Sequence, residues 1–547
     1  MYLGVDVGGT HTDAVLVGPD FTTLKTAKAV TKPETIESLR AVLSQLLADR
    51  DPKSLTRLTV STTLGLNSVL TGSAPPVGIL TTSGPGLDLN PADFGPLFRA
   101  VPGSQDHRGQ VIAPLDLDKT KAAAKELAQK AKTIVVAAKF GPKNPELELA
   151  MAEVAQEALG PDGVVLAASR LFGRLNFARR LGGAILNGQV LKLYADFLGS
   201  LKNALKEFNL SCPVFVLKAD GGVMSVDEAL SRPVLALAAG PAASALGLWA
   251  LASAAGDQKA EDVLMLDLGG TSLDLAVFSR GQPLLTPEGL TLAGRPTLVR
   301  GLLTHSLALG GDTDLEFING EMVPLPRRQG PALALDPERV DLRPPTLTDA
   351  LNVLGQCEVG DVSLSKKAFN RLAPGQAEPL AAKAVAAFLA KLKEAATTFI
   401  AAVNSQPAYT VSEFLIDYAL KPTKAVVLGG PAATVAPLVA EALGAPATAP
   451  KEAATANALG AALARPTTEA ELYADTATGT LSIPTLGIQK KIGARFDLEQ
   501  AKATLLAALG PNSQIVAAEI FNQVSDYGDS GRVMRARAQT APGLISQ

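Results

Sequence analysis

Cysteine is almost missing from this chain. Only Cys212 and Cys357 occur, far apart and in no paired spacing, which argues against zinc, iron–sulfur and disulfide frameworks. Aromatic residues are scarce at 4%, too few for the stacking platforms that grip single-stranded nucleic acid. An excess of basic charge is missing too. Lys and Arg number 50 against 53 Asp and Glu, for a net charge of −3, and their scatter leaves no footprint for nucleic acid. No uncharged apolar run reaches the roughly 18 residues of a membrane span, because charge or Gly/Pro interrupts each candidate. No membrane association is therefore expected, and the 47% of hydrophobic residues reads as buried parallel sheet and Ala-rich helices. Tyr2 already opens a strand, leaving no room for a signal peptide, so the cytoplasm is the default compartment.

What the chain has instead is a repeated phrase. "YLGVDVGGTHTDAVLV", Tyr2 to Val17, returns as "VLMLDLGGTSLDLAVF", Val263 to Phe278. Each copy is an apolar run ending in Asp, then Gly-Gly-Thr, then an alternating apolar segment, the pattern of a β-hairpin. The strand end presents a carboxylate, Asp6 or Asp267, and the glycines let the backbone turn without a Cβ in the way. Amides of Gly8, Gly9 and Thr10 can then face an anion, with the hydroxyls of Thr10 and Thr12 beside them. Gly269, Gly270, Thr271, Ser272 and Asp274 stand in equivalent places in the second copy. One such turn could be purely conformational, since Asp and Gly dominate turns. Two copies point to paired loops that hold a polyphosphate from both sides, with Asp6 and Asp267 binding Mg²⁺ through its waters.

The rest of the chain reads as alternating strands and helices. Strands are expected at 23–31, 57–61 and 77–82 and helices at 35–48 and 64–70, followed by a long loop or lid from Gly84 to Gly109. A second α/β stretch spans Leu117 to Ala168, then one long helix from Asn176 to Asn209, with Gly182-Gly183 as the place where it could break. A strand at Pro233 to Ala239 is expected to feed a helix opening at Gly240-Pro241. "AVVLGGPAA", Ala425 to Ala433, reads as a strand, a Gly-Gly turn and a helix N-terminus that suits an anion or ribose–phosphate edge. The helix from Lys451 to Ala464 mirrors the Ala/Gly helix at Pro241. Beyond Thr467 the composition turns polar, and the tail after Ser525 is expected to be weakly ordered.

This order of motifs resembles the actin-like ATPase superfamily, whose ribonuclease H-like α/β lobes are duplicated. Asp6 to Thr10 would match its first phosphate loop and Asp267 to Thr271 its second. Leu428-Gly429-Gly430-Pro431-Ala432 would be the adenosine loop, and the helices near Gly240 to Gly247 and Asn457 to Ala464 the pair that crosses at the hinge. Within that class the chain resembles the hydantoinase/oxoprolinase A-type proteins, the group of N-methylhydantoinase A and acetone carboxylase subunits. That family's "DVGGTFTD" is seen as Asp6 to Asp13, with His11 in the Phe position. "GTTVATNALL" resembles Ser61 to Leu70, "SDGGVM" resembles Ala219 to Met224, "SGPAAG" resembles Ala239 to Ser244, "FDMGGTSTDVA" resembles Leu266 to Ala276, and "TVTDANLVLG" resembles Thr346 to Gly355. There are departures. "HTIGAGGGS" survives only as His305 to Thr313, where Ala308 and Asp312 replace glycines, and the Pro-Gly-Pro-Ala-Cys-Tyr-Gly loop before Thr346 is missing.

The resemblance implies a division into residues 1–255, an N-terminal lobe with an inserted α/β subdomain at about 84–210, then 256–466, a C-terminal lobe, and 467–547, a C-terminal extension. It implies ATP and Mg²⁺ as cofactors, a small lactam, hydantoin or ketone as substrate, a second B-type subunit as a partner, and an oligomer. The function it implies is ATP-dependent opening of a cyclic amide, or activation of a carbonyl, by phosphoryl transfer. Two alternatives share the fold, a small-molecule kinase and a non-enzymatic ATP-driven switch. Asp6 and Asp267 are assigned to the metal. Gly8, Gly9, Thr10, Thr12, Gly269, Gly270, Thr271, Ser272, Gly429, Gly430 and Pro431 are assigned to the nucleotide. Asp274 or Asp13 is the candidate to orient a nucleophile, with hairpin support as the alternative. His305, one of three histidines, is a candidate for substrate or metal. Asp349 reads either as an acid/base group or as charge at a helix N-terminus. Thr62, Thr63 and Asn67 read either as cleft contacts or as helix caps.

Overall fold

The computed structural model describes the chain except residues 33, 88, 91–92, 255–260, 406–418, 525–529 and 546–547. The expected boundary between residues 255 and 256 lies outside the described residues. Two six-stranded sheets carry the repeated phrase. The first is ordered Val223–Ser225, Val214–Leu217, Arg57–Thr62, Tyr2–Val7, His11–Val17, Thr23–Val30. Tyr2–Val7 is central, parallel to Arg57–Thr62 and antiparallel to His11–Val17. Leu3, Val5 and Val7 are at most 1% exposed; a strand covered on both faces is why this segment reads as an unbroken apolar run. The second sheet repeats that local plan: Val263–Leu268 is parallel to Lys424–Leu428 and antiparallel to Leu273–Ser279. Thr304–Leu307 pairs with the outer side of Leu273–Ser279.

Two helices, Ala239–Ala254 and Ala456–Leu463, cross between the sheets. They are Ala- and Gly-rich because their backbones touch. A Cβ on Gly247 would stand 2.0 Å from the Ala456 carbonyl oxygen, and one on Gly460 2.1 Å from that of Ala243. Any side chain there would force the helices apart. The close crossing delivers two polar residues, Ser244 and Asn457, to the carboxylate ends of the hairpins.

The insertion forms its own parallel sheet, ordered Val164–Ala167, Thr133–Ala138, Val77–Thr82, Phe98–Ala100. It takes in Val77–Thr82, which the expected boundary near 84 left to the lobe, and the expected loop from Gly84 to Gly109 contributes the edge strand Phe98–Ala100. Helix Phe177–Glu207 runs unbroken through Gly182-Gly183. These glycines admit close neighbours: a Cβ on Gly182 would meet the Pro296 carbonyl oxygen at 2.4 Å. The strand expected from Pro233 is a buried 3₁₀ turn, Pro233–Ala236. Its proline occupies the first helical position, where the missing N–H costs nothing.

The largest correction is at the C-terminus. Glu469–Asp475, Thr480–Ile483, Ile488–Lys491, Ser513–Val524 and Ser530–Thr540 build a five-stranded antiparallel sheet backed by helix Leu498–Leu509. The expected weak order fails because Met534, Ala536 and Ala538 alternate with arginines and are fully buried, the period of a half-buried strand. Among the described residues no helix is long and apolar enough to cross a membrane.

Candidate active site

The two hairpins share one register. Asp6 lies opposite Asp13 and Val7 opposite Thr12, just as Asp267 lies opposite Asp274 and Leu268 opposite Leu273. Directly paired residues project from the same face, so each hairpin carries two carboxylates side by side. The turns close identically, with Gly8 N–H donating to the His11 carbonyl and Gly269 N–H to that of Ser272, each at 3.0 Å. They meet across one cleft: a Cβ placed on Gly270 would stand 3.6 Å from the Thr10 methyl carbon. Behind them Asn457 Nδ2 lies 3.4 Å from both Asp6 Oδ2 and Asp267 Oδ2. Ser244 Oγ donates to Asp267 Oδ2 and sits 3.0 Å from Asn457 Oδ1. One amide at the helix crossing thus bridges the key carboxylates of both halves.

Burial shapes the electrostatics. Asp6 and Asp267 are 6% and 7% exposed. Burial pushes the Asp6 carboxyl up to about 6, with the charges of Asp13 and Asp267 adding to it. Burial likewise raises Asp267. Asp274 is raised to about 7 by desolvation and by Asp267, against hydrogen bonds from Ser306 and Ser272. Lys28 answers part of this negative charge with a 2.9 Å ion pair to Asp13. Asp6 Oδ1 is buried and has no hydrogen-bond partner among the described residues, a costly state that a cation or its water would relieve. Among the described residues no three His, Cys, Asp or Glu side chains converge as a metal cage. These donors suit a magnesium ion that keeps most of its waters.

The third glycine turn abuts the second carboxylate. Gly429 has φ +96°, and a Cβ there would meet the Leu268 carbonyl oxygen at 2.1 Å and Asp267 Oδ1 at 3.1 Å. Only glycine fits. Gly430 beside it faces open space, and Pro431 leads into helix Ala432–Leu443. On the other rim Asn67 Nδ2 is 3.6 Å from where a Gly9 Cβ would be, and Thr63 approaches Gly240 similarly at 3.5 Å. Thr62 is buried and accepts from Leu64 N–H.

Several expected roles do not survive this geometry. Thr12 is fully buried and its hydroxyl pairs with Thr31 at 3.1 Å, so it presents no donor to the cleft. The Gly8 and Gly269 amides are consumed within their turns, whereas among the described residues the Gly9 and Thr10 amides have no acceptor in the protein. His305 pairs with Leu275 while its neighbour Ser306 pairs with Asp274. Strand alternation therefore turns His305 to the opposite face from the carboxylates, where its ring stacks on Phe399 at 5.9 Å. Asp349 is fully buried and accepts from Leu333, Ala334 and Thr346 N–H and from the Thr346 and Ser365 hydroxyls; it is a capping residue. Asp220 of "DGGVM" is tied to Arg300 and Thr467. Sequence reasoning missed Asn457, Ser244 and Ser306. For the first two a signal was available: Asn457 is the single polar residue of its Ala/Gly helix, and Ser244 is one of two serines in the other.

Two lobes joined by crossing helices, each with an Asp-Gly-Gly-Thr hairpin facing the other, define a duplicated α/β chain. The family model for hydantoinase/oxoprolinase matches residues 180–470, and that for the hydantoinase/oxoprolinase N-terminal region matches residues 2–159. The chain belongs to the hydantoinase/oxoprolinase family. An uncharacterised protein of Methanocaldococcus jannaschii is 25% identical over 394 residues, 65% of this chain. The chain spans only 56% of that relative's length. A nucleotide-free acetone carboxylase structure superposes with a TM-score of 0.73 at 18% identity, covering 100% of this chain and 88% of that one. An ATP-dependent caprolactamase from Pseudomonas jessenii gives 0.69 at 17% identity, covering 98% and 87%.

Proposed function

We propose that this protein is an ATP-dependent enzyme that opens a cyclic amide, of the hydantoin, 5-oxoproline or lactam type, or activates a small carbonyl compound. The observation that carries this reading is the Asn457 amide between Asp6 and Asp267. It places the carboxylate ends of two phosphate-type turns within one amide's reach, as a polyphosphate held from both sides requires.

On this reading the amides of Gly9, Thr10 and Gly270 and the hydroxyls of Thr10 and Thr271 meet the phosphates, Ser272 keeps its hydroxyl on Asp274, and Gly429, Gly430 and Pro431 border the adenosine. Asp6 and Asp267 would hold Mg²⁺ through its waters. When bound, Mg-ATP supplies a transferable phosphoryl group that turns an amide or enolate oxygen into a leaving group. The chain's own part is positioning and charge stabilisation. Asp274, raised to about 7, is placed to take a proton from a nucleophile near neutral pH. Asp13 is held by Lys28 and supports the first hairpin. His305, on the opposite strand face from the carboxylates and stacked on Phe399, takes no part in this chemistry. A second, B-type subunit, an oligomer and a cytoplasmic setting belong to the same proposal, as does the division at residues 255 and 466.

The test is phosphate release from ATP and Mg²⁺ over a panel of hydantoins, 5-oxoproline, caprolactam and small ketones, alone and with a candidate B-type subunit. Ring-opened product or carbonyl-dependent hydrolysis supports the proposal. Accumulation of a stable phosphorylated substrate would make the protein a kinase, and stimulation only by a non-catalytic partner would make it a switch.

A further inference from the structure

Beside the second turn lies a segment that no assigned role uses. Gly311 N–H donates to the Gly269 carbonyl at 2.9 Å and Asp312 N–H to that of Gly270 at 2.7 Å, so residues 310–312 are strapped onto the turn. Asp312 stands where the family motif quoted above has glycine, and its carboxylate reaches the cleft. A Cβ on Gly270 would be 2.7 Å from Asp312 Oδ2 and 3.6 Å from the Thr10 methyl. An unpaired carboxylate there would repel any phosphate. It is not unpaired: Arg328 Nε donates to Asp312 Oδ2 at 3.1 Å.

That single contact leaves most of the guanidinium free. Among the described residues Nη1 and Nη2 of Arg328 have no acceptor in the protein, and the side chain is 28% exposed. Its neighbour Arg327 is committed elsewhere, to Asp314 and Glu316. The anchor of Arg328, Asp312 Oδ2, lies 2.7 Å from where a Gly270 Cβ would stand, and that point is 3.6 Å from the Thr10 methyl of the first turn, so the guanidinium is tethered where the two turns meet. The cleft gathers Asp6, Asp13, Asp267, Asp274 and Asp312, and Lys28 is already paired with Asp13. A phosphate chain entering it needs a cation with spare donors, and a planar guanidinium held by one nitrogen offers its remaining fork to phosphate oxygens.

We propose that Arg328 is the cationic arm of this cleft, giving its terminal nitrogens to the outermost phosphate of a bound nucleotide, with Asp312 as the positioning residue that holds it against the second turn. This rests on the ATP reading above. Such a contact distinguishes ATP from ADP, which the backbone amides of the turns cannot do alone.

The experiment is calorimetric titration of the full chain with Mg-ATP and Mg-ADP, for wild type, Arg328→Ala, Arg328→Gln, Asp312→Asn and the Arg328→Ala/Asp312→Asn double variant, each checked for an unchanged melting temperature without nucleotide. The expected result is a loss of about 10-fold or more in ATP affinity for both Arg328 variants, the scale of one charge-assisted hydrogen bond, with ADP changed less than about 2-fold. Asp312→Asn should lose less ATP affinity, and the double variant no more than Arg328→Ala, because both act through one side chain. Equal losses for ATP and ADP, no loss, or additive losses in the double variant would overturn the proposal while leaving the ATP reading intact. A wild type that binds neither nucleotide would overturn both.

Discussion

At the scale of single residues, the carboxylates make the sharpest forecasts. If Asp6 and Asp267 hold the metal, Mg-ATP should raise the melting temperature of the wild type by mass action, and Asp6→Ala or Asp267→Ala should shrink that gain. Equal gains in the variants would remove both from the metal site. Thr271 is exposed on its turn; Thr271→Ala should cost about 10²–10³ in turnover and less in binding, as for one preorganised donor. Measuring kcat and the ATP dissociation constant side by side separates the two effects. The raised groups also set a pH dependence. Asp6 and Asp274, at about 6 and about 7 against an ordinary 3.8, keep protons in the folded chain that the unfolded chain has lost. Their contribution is complete below the unfolded value and disappears as pH rises through the folded ones, so nucleotide-free stability should fall between about pH 4 and 7. Thermal scans across that range should show a shallower fall for Asp274→Asn, whose amide does not titrate. An unchanged slope would show that Asp274 does not hold its proton.

At the scale of elements, the crossing helices are the feature on which both hairpins depend. Gly460→Val should be severely destabilising, since even its first carbon would sit 2.1 Å from the Ala243 carbonyl oxygen and 2.5 Å from Gly247 N. Overpacking of this kind costs about 1–3 kcal/mol and sometimes more. Denaturant titration should report that loss, together with weakened nucleotide binding, because displacing helix Ala456–Leu463 also displaces Asn457. A variant as stable as wild type would mean that the crossing is loose. Other elements were legible in advance because their signals are local. Helix Leu64–Leu70 and strand Val77–Thr82 match their expected bounds, and Thr346 caps its helix in a reciprocal box with Asp349. Helix Val362–Leu372, opened by the Asp361 cap, was not anticipated, since it follows a loop-rich stretch and stands apart from the repeat.

At the scale of the whole molecule, the polar node at Asp220 joins lobe to C-terminal sheet. Asp220 takes Arg300 and the Thr467 hydroxyl, with Lys218 at 3.9 Å, and these charges hold its carboxyl below the usual range despite burial. Arg300→Met should leave a buried carboxylate poorly compensated and cost about 3–5 kcal/mol. Hydrogen exchange should then rise together in Val214–Leu217 and Glu469–Asp475; a rise in only one would show that the node does not couple them. The amino-acid sequence by itself determined the duplication, the three glycine turns and the Ala/Gly helices. All of these are written in contiguous residues, through strand and helix periods, turn chemistry and the absence of side chains where backbones must touch. Tertiary structure alone decided the rest. It turned His305 away from Asp274 through the pairing of one strand, spent the Thr12 hydroxyl on Thr31, and set Asn457 between Asp6 and Asp267. It also laid Asp312 and Arg328 over a turn some forty to sixty residues upstream. Strand register and helix crossing make these choices, and both depend on contacts between segments far apart in the chain, which no local pattern encodes.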